Sequence, residues 1–154
     1  MKPVTFRREP ISALWVELWP LLVAHWEEIA TWPDIRLDPD TDAYEAMDTA
    51  GMLRTYTARD EQQGTLVGYA SYVVRTHLHY QQSKQAVQDV LFLRADYRHG
   101  KTGQRFLEHA DAALAAEGVQ VVYQHVKTAH NFGPLLERIG YEHVENVYAK
   151  RLNP

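Results

Sequence analysis

The apolar run Val90-Leu91-Phe92-Leu93 leads straight into Arg94-Ala95-Asp96-Tyr97-Arg98-His99-Gly100-Lys101-Thr102-Gly103-Gln104-Arg105, and this junction constrains the chain more than any other stretch. Four consecutive apolar residues read as a buried strand, while Phe106, Leu107, Ala110, Ala113 and Leu114 fall on one face of a helix. Between them lies a loop with two glycines. Backbone N–H groups at a helix start have no intrahelical partner and sit at the positive end of the helix dipole, so a glycine-bearing loop there can wrap an anion closely. Arg94, Arg98, Lys101 and Arg105 stand here against Asp96, within a chain whose net charge is −4. That local excess of positive charge points to a phosphate.

The rest of the composition narrows the setting. A chain of 154 residues with 45% apolar content fits a single domain over residues 1–154 with one core. The absence of cysteine removes disulfides, thiolate metal sites and a thiol nucleophile. No basic-then-apolar leader and no run near membrane-spanning length is present, so a cytoplasmic protein with no membrane partner is expected. The acidic balance argues against a nucleic-acid partner, which would call for a wide basic face. No full Gly-x-x-x-x-Gly-Lys-Ser/Thr loop and no Gly-x-Gly-x-x-Gly occurs, which disfavours kinase-like and dinucleotide readings.

Taken in order, Val4 to Arg8 reads as an edge strand bracketed by Pro3 and Pro10. Ile11 to Thr31 carries Leu14, Trp15, Leu18, Leu21, Leu22, Trp26 and Ile29 at helical spacing, with Pro20 predicting a kink or two helices. Asp40-Thr41-Asp42 caps a short helix over Ala43 to Ala50 that Gly51 ends. Met52 to Arg59 and Thr65 to His77 form a hairpin, with a bend near Gly68. After the basic loop come a helix stopped by Gly118, a strand from Val119 to Val126, a short helix from Asn131 to Ile139 and a last strand from Tyr141 to Leu152, bent near Glu145-Asn146. Strand, helix, strand in succession implies a right-handed crossover between parallel or near-parallel strands.

This order, with Leu91-Phe92-Leu93, Tyr97-Arg98-His99-Gly100-Lys101-Thr102-Gly103 and the closing Leu135-Leu136-Glu137-Arg138-Ile139-Gly140-Tyr141, resembles the GNAT superfamily of N-acetyltransferases. The resemblance implies an α/β fold with a mixed, mostly antiparallel sheet of six to seven strands and about four flanking helices. It also implies acetyl-CoA as co-substrate, with the pyrophosphate held by Arg98, His99, Gly100, Lys101, Thr102 and Gly103. Arg98 and Gly103 match the ends of the family's Arg/Gln-x-x-Gly-x-Gly/Ala pattern, Lys101 takes the place of its middle glycine, and Gly100 stands one residue early. The fourth and fifth strands should splay, freeing the backbone of Leu91, Phe92 and Leu93 for the pantetheine arm. Asn131 is the counterpart of an asparagine many members place before the last helix, and Leu136 stands where they carry an acidic tyrosine.

Acyl transfer to an amine needs a base for the ammonium proton and an acid toward the thiolate. Asp89, at the start of the fourth strand, and His125, on the fifth, reach the cleft between them and are the catalytic candidates, with Tyr123 and Tyr148 as alternative acids. Leu93 or a neighbour offers an N–H to the developing oxyanion. The expected partner is a small-molecule or protein amine, and a homodimer is left open. His77 and His79 share a strand face as surface or acceptor-pocket residues, and no metal is expected. The rival reading is a CoA-binding or partner-binding module of the same fold without chemistry.

Overall fold

The computed structural model describes residues 2–154. A five-stranded sheet in the order β1-β2-β3-β4-β5 comprises β1 (Val4–Arg8), β2 (Leu53–Asp60), β3 (Leu66–His77), β4 (Tyr80–Leu93) and β5 (Val121–Tyr123). All neighbours are antiparallel except β4 and β5. Helices α1 (Trp15–Ile29) and α2 (Thr41–Thr49) cover one face, where Leu14, Leu18 and Leu21 pack on Leu53, Leu66, Tyr69 and Phe92. On the other face α3 (Thr102–Ala116) sets Phe106, Ala110 and Leu114 against Tyr56, Val67, Ala70, Tyr72 and Ala86. The short α4 (Gly133–Arg138) buries Leu136. No helix among the described residues is long and apolar enough to cross a membrane.

Asp40 caps α2 by accepting from the Ala43 N–H at 2.9 Å, and Gly51 follows at φ 75°. Pro20 breaks nothing: α1 runs through it. The carbonyl it deprives of a partner belongs to Val16, which is 91% exposed, so water can satisfy that group. The fourth strand begins at Tyr80 and not at Val90: polar Gln81 to Gln85 belongs to the first half of β4, joined to β3 by a tight turn in which His77 opposes Tyr80.

Two strand expectations are corrected. The sheet has five strands, not six to seven, because Tyr141 to Leu152 forms no strand. A strand exists only where its backbone groups find a ladder, and residues 142–150 run exposed without one. The expected Val119–Val126 strand shrinks to Val121–Tyr123, the three residues opposite Gln85, Ala86 and Val87, with the Gln120 N–H reaching Lys84 O at 2.8 Å just before them.

Candidate active site

The register of β3 against β4 slips once where it matters. Tyr72 opposes Gln88 and Ser71 opposes Val90, which leaves Asp89 as an extra, unopposed residue in β4. The core confirms the slip by parity: Ala86 faces α3 before it, and Leu91 and Leu93 face α3 after it. A bulge of this kind bends a strand and re-aims a side chain. Asp89 is thereby turned toward α2, where the Tyr44 hydroxyl donates to its Oδ2 at 2.5 Å. Burial, then the Asp89 hydrogen bond, raises the Tyr44 hydroxyl well above its ordinary range, so it stays a donor. Trp15 meets the Tyr44 ring edge-on at 5.8 Å and donates to Glu45 at 3.1 Å, fixing α2 against α1.

At the same point β5 leaves β4. Their ladder stops at Val87 and Tyr123, and the side chain of Gln88 turns to accept from the His125 N–H at 2.6 Å. Beyond it, only β3 borders β4. The Arg94 N–H bonds Val67 O at 2.8 Å, and backbone groups alternate sides along a strand, so those of Leu91 and Leu93 face the open cleft. Phe92 points its backbone at β3 and its ring into the α1 core, leaving it no polar group for the cleft.

The loop past Leu93 begins pinned. Tyr97, 4% exposed, donates to Asp60 Oδ2 at 2.7 Å, which anchors the entry to residues 98–103. Gly100 takes φ 60°, a conformation that favours glycine, whereas Lys101 sits at φ −106°. The chain therefore reverses at Gly100, and Lys101 keeps a backbone conformation open to any side chain. α3 starts with no side-chain cap and no acid in its first turn. The Thr102 N–H reaches His99 O and the Arg105 N–H reaches Lys101 O, while those of Gly103 and Gln104 find no acceptor among the described residues. A Cβ added at Gly103 would approach only the Leu135 side chain, at 3.9 Å.

Charge in the loop is half spent on the protein itself. Arg94 pairs with Asp96 at 3.0 Å and Arg98 with Glu28 at 2.9 Å, and Arg98 Nε also donates to Leu93 O at 2.5 Å. The Arg98 guanidinium thus lies over the cleft mouth, not at the start of α3. Lys101 and Arg105, both exposed, make no ion pair among the described residues.

A cleft bounded by a bulged strand, a splayed partner and an uncapped helix start suits a long phosphorylated carrier, and the sequence comparison names the family. The sequence model of the acetyltransferase (GNAT) family matches residues 15–141. The chain belongs to the GNAT acetyltransferase family. No curated protein matches the sequence. Its fold is that of a GCN5-related N-acetyltransferase from Ralstonia eutropha (TM-score 0.76, 17% identity, 97% of this chain and 99% of that one). A ribosomal-protein-alanine N-acetyltransferase from Brucella melitensis superposes with TM-score 0.73 at 15% identity over the same shares. A predicted acetyltransferase from Clostridium acetobutylicum, solved with acetyl-CoA, gives 0.71 at 8% identity over 97% and 96%.

Among the remaining candidates of this GNAT chain, the Asn131 side chain accepts from the Gly133 N–H at 2.9 Å and so begins α4. Leu136, at the family's tyrosine position, is 6% exposed and supplies no proton. His125 lies across the splay from Asp89, its side chain lining a cavity with Tyr123, and Tyr148 is 90% exposed on the C-terminal segment. The partnership of Tyr44 with Asp89 is what sequence reasoning misses, because nothing local ties two residues 45 positions apart. No group of three or more His, Asp or Glu residues converges as a metal site among the described residues.

Proposed function

We propose that this protein is an N-acetyltransferase that moves an acetyl group from acetyl-CoA directly to an amine. The observation that carries this reading is the half-open β4, whose Leu91 and Leu93 backbone groups face a cleft running from Asp89 to the uncapped start of α3. The residues fit the carrier. The Leu91 carbonyl and the Leu93 N–H hydrogen-bond the pantetheine amides, the Gly103 and Gln104 N–H groups hold the pyrophosphate, and Lys101 and Arg105 add charge.

Acetyl-CoA supplies the thioester carbonyl carbon: the amine nitrogen bonds to it, the C–S bond breaks, and the pair of electrons leaves on sulfur. Asp89, held by Tyr44, takes the proton that frees the amine lone pair. The second amine proton goes to the thiolate through water, since Leu136 offers none. The Leu91 N–H, the nearer of the two to Asp89, donates to the carbonyl oxygen as negative charge grows there. A cytoplasmic, single-domain enzyme is the setting we adopt, in keeping with a chain that has no cysteine.

The test is free-thiol release from acetyl-CoA with a panel of amines, together with the thermal shift that CoA produces. A shift of several degrees and turnover with at least one amine are expected. No shift at saturating CoA overturns the reading. The apolar Leu136 is the one feature favouring a CoA-binding module without chemistry, which predicts the shift with no thiol release.

A further inference from the structure

Next to the cleft, on the face that carries α1 and α2, the far half of the sheet is bare of helices and forms a cavity of about 490 Å³. Its floor is Gln85 and Val87 of β4, the residues leading up to Asp89. Arg75 of β3, directly opposite Gln85, lines it together with His77, His79 and His125. Glu145 is the one acid among the described lining residues. Arg75 spends a single bond on its neighbour, Nε to Thr76 O at 3.2 Å, and has no ion-pair partner among the described residues. Gln85 is 6% exposed, and its Oε1 is buried with no hydrogen-bond partner. An unpaired buried carbonyl is costly.

We infer that the acceptor is an amine that also bears an oxyanion, a carboxylate or a phosphate, and that the Arg75 cavity receives the oxyanion while Asp89 receives the amine. This rests on the acetyl-transfer reading above. Two poles of opposite sign lie along one strand. From Gln85, beside Arg75, to Asp89 is four residues, about 13 Å of backbone at the usual rise, and the long guanidinium arm shortens that span. An acceptor of about lysine length bridges it. The guanidinium can grip a carboxylate or phosphate through two parallel hydrogen bonds, which a plain polyamine cannot offer in return.

The experiment compares matched amines that differ only in the oxyanion: lysine with cadaverine for the carboxylate, and glucosamine 6-phosphate with glucosamine for the phosphate. Thiol release gives kcat/KM, and calorimetry on the CoA-saturated protein gives Kd for the same four compounds. In at least one pair the anionic member is preferred about tenfold or more, and Arg75→Ala, on an exposed side chain, reduces that preference at least fivefold. Equal treatment within both pairs overturns the inference, as does a preference that survives Arg75→Ala. Selective binding of the anionic members without any turnover supports the cavity assignment and counts against the acetyl-transfer reading alone. Failure of all four to bind or react overturns the inference even if CoA still binds.

Discussion

The Tyr44 hydroxyl donates to Asp89 Oδ2 at 2.5 Å, joining α2 to the bulge of β4 across 45 residues of chain. A carboxylate on a bulge has no neighbour in the ladder to hold it, so this one bond sets its direction. Tyr44→Phe keeps the ring against Trp15 and removes only the hydroxyl. We expect kcat to fall about tenfold or more, since a hydrogen bond to a charged group is worth about 1.5–3 kcal/mol. The CoA-induced thermal shift should persist. An unchanged kcat would remove Tyr44 from any positioning role.

Gly103 combines an ordinary backbone conformation with space around it, so the fold does not require glycine there. Its lack of a side chain serves close approach by a phosphate. Gly103→Val should therefore leave the melting temperature close to the parent, Val being no worse than Gly within a helix. CoA binding should weaken about tenfold or more, measured as Kd by calorimetry. Parent-like affinity in a folded variant would displace the pyrophosphate from this loop.

Gly68 is a glycine of the other kind. A Cβ there would lie 2.7 Å from Phe92 O and 3.3 Å from the Leu93 Cα, both backbone atoms of the strand that borders the cleft. Gly68→Ala must push β4 outward. A loss of about 1–3 kcal/mol in stability is expected from overpacking, read by urea denaturation, with CoA affinity lowered in the same variant.

Acid should destabilise the protein in two stages. Burial holds the His25 imidazole, tilted against Phe92 at 5.2 Å, down at about 4 from an ordinary 6.5. Between those values the unfolded chain binds the extra proton, so stability falls as pH drops from about 6.5 to about 4. Burial alone would raise the Glu9 carboxyl, but hydrogen bonds from Arg59, Thr57 and Arg7 outweigh it and bring it to about 2. Its contribution is complete above about 4.5 and is lost as pH falls toward 2. Denaturation midpoints measured across pH should show both ramps, His25→Phe flattening the upper and Glu9→Gln the lower.

What could be read ahead of the structure was local. Asp40 and Gly51 delimit α2 through a cap and a left-handed turn that depend on a few neighbouring residues, and both are visible in the sequence. The order of elements and the glycine loop carried the family. Tyr141 to Leu152 failed as a strand because pairing depends on a free edge elsewhere, and apolar content alone does not supply one. The loop cations were seen, yet Arg98 turns back to Glu28, 70 residues earlier, and to the Leu93 carbonyl, so its destination was not legible. Asp89 is a candidate from the sequence alone, but its bulge is encoded only in parity: an apolar Ala86 followed by an apolar Leu91 and Leu93 cannot share a face on an unbroken strand.

Because β4 is bordered on both sides only from Gln85 to Val87 and by β3 alone from the bulge onward, its amides should keep two different clocks in deuterium oxide. From Gln85 to Val87, neighbouring positions exchange slowly together. In the second half, Phe92 and Arg94, turned to β3, stay slow, while Leu91 and Leu93 tick fast between them. A bound carrier would silence just those two fast amides, leaving a footprint one atom wide on every second residue of a single strand.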